Sequence, residues 1–152
     1  MPVYWTNRGL KRLAADGDLD TAALRLGAFT GTAPSQSAIQ DYNFISDLEA
    51  ASGVNEAAAS GYARVSTGTI AISEDDTNNR VNITMNGGAA VTLGTSVAAG
   101  ETWTMVACFD NAGGADTSRE LIFVDVLASG LATNGSNITY TPAANIATLA
   151  QA

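Results

Sequence analysis

Histidine is absent from the 152 residues, and cysteine occurs once, as Cys108. Without imidazole the chain lacks the side chain that most readily moves protons near neutral pH. With one thiol it can form neither an internal disulfide nor a cysteine-rich zinc site. Nucleophilic triads are excluded for the same reason, since Cys108 has no histidine to activate it and sits between Ala107 and Phe109 in an apolar run, the setting of a buried structural thiol. Aromatic residues are few and scattered, 10 in all, which supplies neither a sugar platform nor an aromatic-lined ligand pocket. The Gly87-Gly88 and Gly113-Gly114 pairs match neither a phosphate loop nor a dinucleotide fingerprint. No cofactor is expected and no enzymatic activity.

Long hydrophobic runs are missing as well. Nothing approaches the roughly 18 apolar residues of a spanning helix, and Met1 to Trp5 lacks the basic start and apolar core of a signal peptide, so synthesis and residence in the cytoplasm are expected. Charge is sparse, at 14% of residues, where a free surface typically carries about 25–35%, so much of the surface is expected to be covered by partners. The charge present is acidic: 15 acids against 7 bases give a net −8, which disfavours nucleic acid and anionic membranes. It is also uneven. Arg8, Lys11 and Arg12 give residues 1–15 a charge of +3, while the remainder carries −11. Such a patch suits docking to an acidic neighbour or, alternatively, is a solvated helix face.

A chain of this length makes one domain, 1–152, able to fold by core burial alone, with 1–15 as an N-terminal arm and helix. Thr6 or Asn7 caps that helix, which runs to Ala15 with Leu10, Leu13 and Ala14 on one face, and Asp16-Gly17-Asp18 stops it. Residues 21–29 alternate with period two, a half-buried strand. Thr30 to Ala38 reads as a loop, and Phe44, Ile45 and Leu48 as a small satellite helix. Gly61 to Ile72 returns to strand composition with a bend at Gly68, and Ser73 to Asn79 is a polar loop. Beyond it the pattern is β: Val81, Ile83 and Met85 alternate; Trp103, Met105, Ala107 and Phe109 share a face; Leu121 to Val124 is apolar on both faces; 137–141 and 146–149 close the chain. About eight short strands with frequent turns and no connecting helices of crossover length predict a mainly β fold. The expected form is an antiparallel β-sandwich, jelly-roll or Ig-like. Its predicted core is Leu24, Leu26, Ile70, Ile72, Val81, Ile83, Trp103, Phe109, Ile122 and Val124.

Among the acids, Asp16-Gly17-Asp18-Leu19-Asp20 opens like a calcium loop but has Thr21 and Gly27 where that loop needs glycine and a bidentate glutamate, so it reads as a helix-ending turn. Glu74 to Asp76, and Asp110 with Asp116, read as solvated hairpin tips, and no metal is expected. Tyr4 and Trp5 precede the first helix, where two large rings are costly to leave in water. They either staple the arm to this domain or anchor it in a partner. In the second case the interface comprises Tyr4 and Trp5 as apolar anchors and Arg8, Lys11 and Arg12 as electrostatic complement.

Three phrases carry a family resemblance: YWTNRGLKRLAADGDLDTAALRLGAF (4–29), DYNFISDL (41–48) and GYARV (61–65). In that order and spacing the chain resembles small virion proteins encoded in the structural modules of tailed double-stranded DNA bacteriophages. It departs from them at Leu19-Asp20-Thr21-Ala22, where the second acid of their strand entry is missing. The resemblance implies a decoration (cement) protein on the outer capsid surface, with the major capsid protein or another virion protein as partner and a homo-oligomer, a trimer favoured. A minor tail, head-tail or receptor-binding component shares these traits. A cytosolic ligand-binding jelly roll is the remaining alternative.

Overall fold

The computed structural model describes residues 2–15, 23–112 and 114–150; the Asp16-Gly17-Asp18 stop, the Asp16 to Asp20 loop and positions 21 and 22 of the expected strand lie outside them. In chain order the elements are β1 (Val3–Trp5), α1 (Asn7–Ala15), β2 (Leu24–Thr30), α2 (Gln36–Asp41), α3 (Ile45–Glu49), β3 (Asn55–Glu56), β4 (Val65–Ser66), β5 (Ile70–Asp75) and β6 (Arg80–Met85). A 3₁₀ turn (Asn86–Gly88), β7 (Val91–Gly94), β8 (Thr102–Asp110), β9 (Leu121–Ala132), β10 (Ile138–Tyr140) and β11 (Ala147–Ala150) follow. The fold is mainly β and its sheets are antiparallel.

The central sheet runs β1-β9-β8-β2-β3, and β4 shares the outer edge of β2 with β3. One face of it packs against two smaller sheets, β10-β7 and β11-β6-β5, which is the sandwich the alternation predicts. Leu24, Leu26, Val106, Cys108, Ile122 and Phe123 meet Ile83, Met85, Leu93, Ile138 and Tyr140 there. The opposite face is roofed by α2 and α3, whose Ile39, Ile45 and Leu48 cover Phe29, Met105, Phe109, Leu121 and Val124. Burial on both faces explains why β9 opens with four consecutive apolar residues.

Seven of the ten predicted core residues are buried, whereas Ile70 and Val81 are half-buried and Ile72 is exposed. The reason is that β5 and the turn end of β6 reach past the layer they pack on. Trp103 also changes sides: a register shift between Trp103 and Met105 breaks the alternation of β8, so Trp103 joins the inter-sheet core while Met105, Ala107 and Phe109 face the helices. The strand expected over 61–72 is two strands, since Gly68 adopts φ 72° and a side chain there would meet Asn86 Oδ1 at 2.7 Å. β5 then continues to Asp75, into the expected polar loop. The loop expected over 30–38 contains the start of α2, which Ser35 caps by accepting the Ala38 N–H at 3.3 Å. There are thus two satellite helices and not one.

The N-terminal residues are part of the sheet. β1 pairs with β9 (Tyr4 opposite Val124), and Thr6, fully buried, caps α1 by accepting the Gly9 N–H at 2.9 Å while donating to the Leu121 carbonyl at 2.6 Å. At Gly9 the helix backbone lies so close to β9 that a Cβ would stand 2.2 Å from the Ile122 carbonyl oxygen. That contact fixes the rotation of α1: Leu13 packs inward, and Leu10, expected on the buried face, points to water beside Lys11.

Candidate functional site

The five residues proposed as an interface divide into two groups. Trp5 is buried in the inter-sheet core, its Nε1–H donating to the Ile146 carbonyl at 2.9 Å and its ring 5.5 Å from that of Phe123. Tyr4 is half-buried and packs on the helix-covered face. Of the two roles open to these rings, the geometry is that of the internal staple, and the expectation of an apolar anchor in a partner is corrected for Trp5. A side chain with a buried, hydrogen-bonded indole has nothing left to present outward.

Arg8, Lys11 and Arg12 line an open cleft of about 420 Å³ together with Asp110, Ser118 and Glu120. Arg8 bonds Glu120 at 3.1 Å and lies 4.8 Å above the Phe44 ring. Arg12 is paired with Asp110, both largely buried, and is 3.8 Å from Glu120. The Ala112 N–H adds a 2.8 Å bond to the Asp110 carboxylate. Folding therefore brings two acids from the far half of the chain onto the basic segment, and the +3 patch read from sequence is largely neutralised within the molecule. Lys11 stays exposed. The cleft is lined by cations, carboxylates and a hydroxyl, and its lining is polar.

A second cluster was not foreseen. Arg64 forks onto two carboxylates at once: Nε and Nη2 reach Glu56 at 2.6 Å each, while Nη1 and Nη2 reach Asp116 at 2.6 and 3.1 Å. Glu49 lies at 3.8 Å, Arg119 adds a 2.8 Å bond to Asp116, and the guanidinium sits 4.9 Å from the Phe109 ring. The Tyr62 hydroxyl donates to Glu56 at 2.7 Å and accepts the Ala28 N–H at 3.0 Å, tying the cluster to β2. Hydrogen bonds from Arg64 hold the Asp116 carboxyl below its ordinary range. Burial, then the nearby charges of Asp116 and Glu56, push Glu49 up. Carboxylates displaced in opposite directions are what acid/base catalysis needs. Here, however, the guanidinium fills the space among them where a reacting oxygen would sit. Glu49, Glu56 and Asp116 are also the one set of three acids among the described residues close enough to share a metal ion, and the cation among them is Arg64. Asp110 and Asp116, read from sequence as one loop cluster, belong to different arginines. No local pattern announces this cluster, because its acids come from α3, β3 and the loop before β9; the only signal was the GYAR phrase itself.

Two further acids have local duties. Asp75 accepts from Asn78 and Arg80, which lowers its pKa to about 2 and closes the β5–β6 turn. Asp125 is buried, bonded by the Tyr140 hydroxyl at 2.7 Å with its second oxygen unpartnered, and burial raises its pKa. Cys108 is fully buried, and burial likewise raises its thiol pKa. Compared with known proteins, the chain matches no family model, and searches of curated proteins and of solved structures find no significant match.

Proposed function

We propose that this chain is a non-enzymatic structural protein of a tailed double-stranded DNA phage virion, a decoration protein that binds the outer head surface and bridges capsomers. The observation that carries the reading is where the three resembling phrases lie. Residues of the first, Ala28 and Arg8, are bonded or stacked to Tyr62 of the third and Phe44 of the second. Asp47 of the second phrase accepts the Asn43 and Phe44 N–H groups at 2.8 and 3.0 Å, and Arg64 of the third gathers Glu49, Glu56 and Asp116. The phrases therefore form one connected set of fastenings around the central sheet, a role that suits residues shared among scaffolding proteins.

Two further features support it. The space between the sheets, where a ligand-binding jelly roll keeps its pocket, is filled by Trp103, Tyr140, Phe123, Leu93 and Ile138. Each ionic cluster is held together by its own arginine, Arg12 in one and Arg64 in the other. Mechanically, many copies each making modest contacts across capsomer boundaries hold a shell at high effective concentration, and binding to the expanded shell alone stabilises it by mass action. Quantitative mass spectrometry of particles from the host carrying the gene tests this, alongside antibody labelling. Surface labelling with a copy number near that of the major capsid protein is the expected result. A count one or two orders lower moves the chain to the tail, and absence from purified particles overturns the proposal.

A further inference from the structure

Two large apolar side chains stand in water among the described residues: Leu10, 41% exposed, and Ile72, 51% exposed. Each has a charged neighbour, and the charges are opposite. On α1 the Gly9 contact turns Asn7, Leu10 and Lys11 outward as one stripe, and while Arg8 and Arg12 are held by Glu120 and Asp110, Lys11 has no ion pair among the described residues. On β5, Ile72 and Glu74 point to the same side of the strand, opposite Ile83 and Val81 of β6. Asp75 is engaged by Arg80, but Glu74 is exposed and has no ion pair among the described residues. β5 is also an edge strand, with β6 on one side only.

An acidic edge is poorly suited to pairing with itself. Two β5 strands side by side would crowd Glu74, Asp75 and Asp76 of one copy near those of the other, which costs association and protects the edge. The α1 stripe has the reverse properties, an aliphatic side chain next to an exposed cation. We infer that the two patches meet between copies: the Leu10 and Lys11 stripe of one molecule seats on Ile72 and Glu74 of the next. The contact is heterologous, so it either closes into a ring or continues as a chain. It is small, and association in free solution is correspondingly weak, becoming firm where copies are held side by side.

Sedimentation over a wide concentration series tests the inference, and it does so separately from the virion assignment, which rests on particle composition. The expected result is a mass that rises with concentration and a dissociation constant weakened about tenfold or more by either Leu10→Glu or Ile72→Glu. Both positions are exposed, so both variants keep the wild-type melting temperature. Mixing the two variants is the decisive step. Each retains the patch the other lacks, so a mixture forms 1:1 dimers that grow no further, whereas β5-to-β5 pairing gives none. Lys11→Glu or Glu74→Lys alone weakens association, and the double variant restores it. A wild-type monomer at every concentration, association insensitive to both apolar variants, or a mixture that stays monomeric overturns the inference.

Discussion

The β5–β6 hairpin alternates with period two, whereas β8 and β9 are apolar on both faces at their centres, and the two regions are covered differently. β8 and β9 have the second sheet layer on one side and α2 and α3 on the other, so both sets of side chains are inside. In β5 only Ile70 and Asp75 are even half-buried, and an isoleucine at an inward position is left in water. Alternation reports which residues share a face; whether anything lies on that face depends on the length and placement of the neighbouring layer. An isoleucine therefore has very different energetic weight in the two regions, fully buried at position 122 and half exposed at position 72.

Substitution makes this difference measurable. Ile122→Ala removes a fully buried side chain beside Phe123 and should lower unfolding free energy by about 2–4 kcal/mol in urea titration. A loss below about 1 kcal/mol would mean the central sheet is as loosely covered as the hairpin. Arg64→Met should cost about 2–3 kcal/mol, because Glu56, Asp116 and Glu49 are then left close together without their shared cation, partly relieved by hydration. Gly9→Ala should cost about 1–3 kcal/mol even though alanine is the better helix former, since the added methyl collides with the Ile122 carbonyl. A stabilised variant would show that α1 is not seated on β9.

The pH dependence should separate the buried from the paired carboxyls. Asp125 has its pKa raised by burial, so its contribution to stability is fully present below its unfolded value near 3.8 and is lost as pH rises through the folded value. Asp116 has its pKa lowered by Arg64, so its contribution is present above about pH 4 and is lost as pH falls through the folded value. Asp125→Asn should therefore gain on the wild type as pH rises above about 4, whereas Asp116→Asn should lose ground on it as pH rises toward about 4 and hold level above that. Urea midpoints at a series of pH values read both trends, and parallel curves would remove the distinction. The smallest effect is expected at the hairpin: Ile72→Ala should change monomer stability by less than about 0.5 kcal/mol in dilute solution, as for other exposed sites.

Sequence was most informative where contacts are local. The alternation of Leu24 and Leu26, the Thr6 cap, the bend at Gly68 and the doubly apolar start of β9 are all visible in a few consecutive residues. What escaped depends on partners far along the chain. Trp103 changes faces because β9 has extra residues between Val126 and Leu131, which no reading of β8 alone reveals. β1 has three residues and exists because β9 is there to pair with it. The basic segment looked free because Asp110 and Glu120 lie about a hundred positions away, and the Arg64 cluster was hidden because Glu49, Glu56 and Asp116 come from three separate elements.

Cys108 lies opposite Leu26 on one side and Phe123 on the other, in the middle of the central sheet. As the chain's only thiol, fully enclosed, it acts as a clock inside the molecule. A thiol reagent reaches it only when β8 is uncovered, so at low reagent concentration the labelling rate measures how often the sheet stands open. Once labelling no longer accelerates with added reagent, the plateau gives the opening rate itself, with no probe to engineer and no competing site to correct for.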